Sequence, residues 1–207
     1  MTPWLLFGAG GTGVGARTLE LALTQQRPVV AVIRHPETAA LLQSKGVQVF
    51  IGDACDASVV SCACHAAGPE ALVISSMGGN QDYLAHRTVI DEAEKVGIKR
   101  MILVTSLGCG DSWAFLSPRA KAAFGQAVRE KTLAESWLQT SQLDYAILRP
   151  GGLLNGDATG KAQRYQGQEC HGFVMRADVA AHIHELACAP ALNNQIYSLV
   201  EPELKPV

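Results

Sequence analysis

At 207 residues the chain is long enough for one well-buried domain and short for two. It is 48% hydrophobic and 17% charged with a formal net charge of -2, so it lacks the basic stripe that nucleic-acid binding needs, and no apolar run reaches the length of a membrane span. The first residues enter a strand without a basic region or signal-peptide core, so a cytoplasmic location and reduced cysteines are the expectation.

Trp4-Leu5-Leu6-Phe7 predicts the first strand, and Val14 to Gln25 reads as a helix. Between them runs Gly8-Ala9-Gly10-Gly11-Thr12-Gly13-Val14-Gly15. Strand, glycine turn and helix in that order form a site for a dinucleotide pyrophosphate. Gly8, Gly10 and Gly13 fit the G-x-G-x-x-G spacing. Gly8 would turn the chain off the strand, Gly10 would admit the phosphates to the backbone, and Gly13 would let the helix pack on the sheet. Free N–H groups and the positive dipole end of the helix then face the anion.

Pro28 to Ile33 is the second strand, and a helix runs from near Pro36 to Gly46. Val47 to Ile51 follows as the third, and a helix capped by Asp56 extends to Gly68-Pro69. Ala71 to Ser75 is the fourth strand, with a helix from about Gln81 to Lys95 that closes at Gly97. Arg100 to Val104 is the fifth. Ser117-Pro118 supplies an N-cap and first-turn proline for a long helix reaching about Gln139. Tyr145 to Leu148 is the sixth strand, ending at Pro150-Gly151-Gly152. A seventh, at Phe173-Val174-Met175, leads to a helix from Asp178 to about Ala187, and Ile196 to Leu199 is the last strand. Apolar strands alternating with helices imply right-handed crossovers. The expected fold is a single-domain, Rossmann-like α/β unit over residues 1–207: a doubly wound parallel sheet with helices on both faces.

In such sheets ligands bind at the carboxyl ends of the strands. Arg34 follows the second strand, about 20 residues beyond the glycine turn, where NAD-specific folds place an acid for the ribose 2′-hydroxyl. A guanidinium there pairs with a 2′-phosphate and favours NADPH over NADH; the alternative is a solvent-facing arginine. Asp53, in Gly52-Asp53-Ala54, either accepts from an adenine amino group or caps the next turn. Ser75-Ser76-Met77 either lets hydroxyls and backbone approach the ribose or, with Gly78-Gly79, serves the turn alone. Thr105-Ser106 follows the fifth strand, where a hydroxyl can donate to a substrate carbonyl as hydride arrives. Lys131 either faces inward to the nicotinamide ribose or is solvated beside Glu135 at i+4.

No metal site is expected. Cys62 and Cys64 are two apart on a helix and point about 200° apart, and His182 and His184 fail for the same reason.

Together these residues resemble the short-chain dehydrogenase/reductase superfamily, in particular its small atypical NAD(P)-binding branch, which includes NmrA-like proteins and flavin reductases of the biliverdin reductase B kind. The resemblance runs through Phe7 to Gly15, Gly52-Asp53, Ala93 to Ser106, Lys131 to Glu135 and Leu143 to Gly151. It implies that Pro150, Gly151, Gly152 and Leu153 form a loop beside the nicotinamide, and it makes Ser106 the counterpart of the serine after the fifth strand. The superfamily's Tyr-x-x-x-Lys pair is incomplete: four residues before Lys131 stands Ala127. Gly151-Gly152 also occupies the stretch where the flavin-reductase branch can carry a histidine, which argues against bilin reduction by that route.

The expected function is therefore NADPH-dependent reduction of an electrophilic small molecule, such as a flavin, a quinone or an enone. Such acceptors stabilise charge themselves, so no tyrosine acid is required. Ser106 and Lys131 are the candidate catalytic residues. The alternative is a non-catalytic redox sensor that reports cofactor occupancy to a regulatory protein partner, as the NmrA-like resemblance implies. A cofactor-binding epimerase or dehydratase ranks last, because it would need a base and the chain has little room for a sugar-nucleotide subdomain.

Overall fold

The computed structural model describes residues 1–205. Its elements run β1 (Trp4–Phe7), α1 (Val14–Thr24), β2 (Val29–Ile33), α2 (Pro36–Ser44), β3 (Gln48–Ile51), α3 (Ala57–Ala67), β4 (Leu72–Ser75), α4 (Asp82–Val96) and β5 (Arg100–Val104). A short 3-10 turn (Gly110–Phe115) comes next, then α5 (Pro118–Gln139), β6 (Asp144–Pro150), β7 (Gly152–Leu154) and β8 (Gln163–Tyr165). The remainder is β9 (Phe173–Met175), α6 (Arg176–Cys188) and β10 (Gln195–Val200).

The strands of the central sheet are apolar on both sides because both sides are covered. Trp4 and Leu6 of β1 join one core with α1, α2 and α6. Leu5 and Phe7 point the other way, into a second core with α3, α4 and α5. Helix ends follow their local chemistry. Asp56 accepts from Ser58 N at 2.9 Å, Ser117 Oγ accepts from Ala120 N at 3.2 Å, and Gly97 closes α4 in the left-handed conformation.

The main sheet has the order β3-β2-β1-β4-β5-β6-β10-β8. β1 therefore lies between β2 and β4, the point where the winding direction reverses and a crevice opens at the strands' carboxyl ends.

Two expectations need correction. The sheet is not wholly parallel, since β8 pairs antiparallel with β10 at one edge. Phe173–Met175 does not join it either: it pairs with β7 in a separate two-stranded sheet. β7 and β8 had no forecast, because three residues carry too little periodicity to separate a strand from a loop.

Candidate functional site

The glycine turn leaves β1 with Gly8 at φ +90, where an added Cβ would lie 2.8 Å from Ser76 C and 2.9 Å from Met77 N. Only glycine fits between β1 and the chain leaving β4. The close approach of α1 depends on Gly15 rather than Gly13, which corrects the expected register. A Cβ on Gly15 would collide with Gly8 O and come within 2.6 Å of Ser76 Oγ, whereas one on Gly13 meets nothing within 4 Å. Gly13 is instead the N-cap of α1. That helix has no side-chain cap and no acid in its first turn, so its leading N–H groups remain available to an anion.

A cavity of about 740 Å³ opens above this turn. Gly8, Gly10 and Gly11 form its floor, Arg34 and Asp53-Ala54 one wall, and Ser76-Met77 another. Its size and position suit the adenosine diphosphate half of a dinucleotide. Thr12 is exposed on the turn, while Ala9 and Val14 are buried beneath it. Arg34 is exposed on the cavity wall, consistent with either of its two roles. Asp53 does cap a turn, accepting from Cys55 N at 2.8 Å, and it also borders the cavity. Cys55 lines the cavity too; burial, then the hydrogen bond with Asp53, pushes its thiol up to about 11, so it stays protonated.

Ser75 does not turn its hydroxyl to the cavity. It is fully buried, and its Oγ lies 2.8 Å from His86 Nε2. His86 Nδ1 lies 2.8 Å from Asp82 O and 2.9 Å from Asp82 Oδ1. Lys131 Nζ completes the chain, donating to Asp82 Oδ2 at 2.8 Å and to Met77 O at 2.9 Å. Lys131 thus faces inward, the first of its two readings, and its carboxylate partner is Asp82 rather than the Glu135 of the alternative. Sequence reasoning missed Asp82 and His86. Their i,i+4 spacing on the face that also carries Val89 and Ala93 was the available signal.

Burial pushes the Asp82 carboxyl upward, but the contact with His86 and the charge of Lys131 outweigh it and hold it below its ordinary value. The unfolded chain then takes up this proton more readily than the folded one. The stabilisation is complete above about pH 4 and is lost as pH falls through the folded value. Lys131→Met is expected to lower stability by about 2 kcal/mol at neutral pH. It should also flatten the acid limb of the melting temperature; melts from pH 6 to pH 3 that superimpose in shape on wild type would rule the linkage out.

At the next strand ends, Leu107 N donates to Pro150 O at 2.9 Å, which ties the loop after β5 to the end of β6. Ser106 is half-buried and its Oγ donates to Leu107 O at 3.0 Å. Thr105 turns away from the cleft, donating to Glu135 Oε1 at 2.6 Å. Glu135 is clasped by Arg149 through Nε at 3.0 Å and Nη2 at 2.7 Å, and Arg149 also pairs with Asp111. Gly151 N donates to Leu199 O and Gly152 N to Gly172 O, each at 2.9 Å, so Gly152-Leu153 begins β7 instead of a free loop. Ser106, Lys131 and the Pro150 to Leu153 stretch stand outside the cavity wall, along the carboxyl edge beyond it. Cys109 is not a reactive thiol: burial, then the charge of Glu135, raises it to about 11.

Similarities to known proteins bear on this site. A family model described as NAD(P)H-binding matches residues 8–190. ChuY of Escherichia coli O157:H7, described as an anaerobilin reductase, is 83% identical, with 100% of each chain covered and a TM-score of 0.99. "Uncharacterized sugar epimerase YhfK" of Bacillus subtilis (strain 168) is 29% identical over 211 residues, 95% of this chain and 92% of that protein. Sanguinarine reductase of Eschscholzia californica is 34% identical over 117 residues, 54% of this chain and 40% of that protein.

Proposed function

This chain belongs to the NAD(P)H-binding family, and from that membership we propose an NADPH-dependent reductase whose acceptor is a bilin, an open-chain conjugated tetrapyrrole. The observation that carries this reading is 83% identity along the whole length of ChuY, an anaerobilin reductase. Sanguinarine reductase, a partial relative, is likewise a reductase by name.

The residues fit the cofactor. Gly10 and Gly11 leave the backbone bare on the cavity floor, α1 presents uncapped N–H groups, and Arg34 supplies a cation for a 2′-phosphate. Lys131, fixed by Asp82 and Met77 O, carries its ammonium to the ribose side. When bound, NADPH supplies the hydride. Ser106 Oγ, whose present partner is a neighbouring carbonyl, is the hydroxyl that turns to an acceptor oxygen. Ala127 cannot donate a proton and is exposed. A bilin needs no acid there, nor a histidine at Gly151-Gly152, because its conjugated system spreads the incoming charge and water completes the reduction. Bilins thereby fall in the same electrophilic class as flavins, quinones and enones.

One experiment tests acceptor and cofactor together: NADPH and NADH oxidation with biliverdin, free flavin and a simple quinone, for wild type and Arg34→Ala. Bilin turnover should exceed that of the other acceptors. Arg34→Ala should raise KM for NADPH about tenfold and leave NADH within about twofold. Tight NADPH binding without turnover of any acceptor would favour nucleotide sensing for a regulatory partner instead; equal losses for both coenzymes would remove Arg34 from the 2′-phosphate.

A further inference from the structure

Three large aromatic side chains stand in solvent close together in sequence: Trp113 at 40% exposure, Phe115 at 39% and Phe124 at 63%. Single exposed rings need no explanation, but a cluster marks a binding surface. Trp113 and Phe115 belong to the 3-10 turn, and Phe124 to the second turn of α5.

This segment is anchored to the reactive edge of the sheet. Gly110 N donates to Thr132 Oγ1 at 3.1 Å, and Asp111 is held by Arg149, which precedes Pro150. An ideal Cβ on Gly125 would sit 3.5 Å from Trp113 Cη2, so the indole lies across α5. Phe124 is seven residues before Lys131, hence on the same helix face and about 10 Å along the axis from it. That face turns Lys131 to Met77 O and Asp82 at the border of the cavity, so Phe124 stands on its outer continuation.

Charge singles out the occupant. From Leu107 to Glu130 the chain carries Arg119, Lys121 and Arg129 against two acids, Asp111, which Arg149 holds, and Glu130, which accepts from Tyr83 N. In a protein of net charge -2 this is a local positive excess. Lys121 Nζ lies 5.1 Å from the Trp113 ring centroid, which brings a cation to the aromatic surface itself.

We propose that the 3-10 turn and the first turns of α5 form the acceptor-binding face. Trp113, Phe115 and Phe124 stack on a flat conjugated system, and Lys121, already at the Trp113 ring, pairs with a carboxylate carried on it. The proposal rests on the reductase reading and extends it, because it requires an acceptor that is both planar and anionic. A neutral quinone satisfies only half of the surface.

The test is equilibrium titration of the NADPH-free protein with biliverdin and with its dimethyl ester, followed by absorbance. Phe124→Ser, at an exposed position that tolerates change, should weaken both ligands about tenfold. Lys121→Glu should weaken the diacid about tenfold and leave the ester within about twofold. NADPH affinity should hold in every variant. If ester and diacid bind alike throughout, or if Phe124→Ser binds both as wild type does, the acceptor face lies elsewhere. A fall in sedimenting mass in Phe124→Ser would likewise overturn the proposal, giving the patch to a second copy of the chain. Biliverdin that binds through these residues without turnover would sink the reductase reading and leave this face standing.

Discussion

An alanine at Gly15 is expected to remove cofactor binding and to loosen the first strand–helix unit together. The added methyl has nowhere to go: its neighbours are Gly8 O, Gly8 C at 2.7 Å and Ser76 Oγ at 2.6 Å, and the first two are backbone. Relief requires α1 to move off β1, which carries the uncapped N–H groups away from the phosphate position. Overpacking of this kind costs about 2–3 kcal/mol, and for a chain of this length the melting temperature should fall by roughly 6 °C. NADPH affinity should drop about a hundredfold or more. Gly13→Ala is the control. Gly13 has an ordinary φ of -83 and open space around its Cβ, so the change should cost under about 1 kcal/mol. Fluorescence titration with NADPH and thermal melts read both variants. Should Gly13→Ala lose the cofactor while Gly15→Ala keeps it, the close-packing role returns to Gly13.

That reversal of roles marks the boundary of what the sequence makes legible. Five glycines in and around the turn announce a phosphate site, but which of them touches the strand depends on where the helix begins, and composition does not encode that. Strands such as Leu72–Ser75 and Arg100–Val104 were readable because both faces are buried and the apolar run is unbroken. Asp56, Ser117-Pro118 and Gly97 were readable because caps act within a few residues. The polar network was not. Lys131 meets Asp82 across 49 positions, while Glu135, an obvious i+4 neighbour, is taken by Arg149. Local spacing leaves Glu135 open as a partner for Lys131, and the fold closes that option because a buried guanidinium outcompetes a solvated helix pair for the carboxylate. Arg149 inside an otherwise apolar strand was the clue, since a buried cation obliges a buried anion.

Glu135→Ala should be among the most damaging single changes available to the chain. Glu135 is 1% exposed and Arg149 4%, and the carboxylate accepts from Arg149 Nε and Nη2 and from Thr105 Oγ1. Burial works against the charge on Arg149, yet Glu135 and Asp111 together raise its pKa, so it stays protonated. Without Glu135 the guanidinium keeps only Asp111, whose side chain is largely in solvent and whose attraction is screened accordingly. Removing one partner of a buried pair costs about 3–5 kcal/mol, or a fall in melting temperature of roughly 10 °C. Activity should suffer beyond stability, because Arg149 directly precedes Pro150, whose carbonyl anchors the loop that carries Ser106. The double variant Glu135→Leu with Arg149→Met separates the two effects. An apolar pair of similar volume should return stability to within about 2 kcal/mol of wild type, since it buries no uncompensated charge. With the Asp111 tether gone as well, kcat for the acceptor should remain about tenfold low while the KM for NADPH changes little. A double variant that regains full turnover would show that the pair serves stability alone, and a Glu135→Ala variant melting within 1–2 °C of wild type would contradict the energetic argument itself.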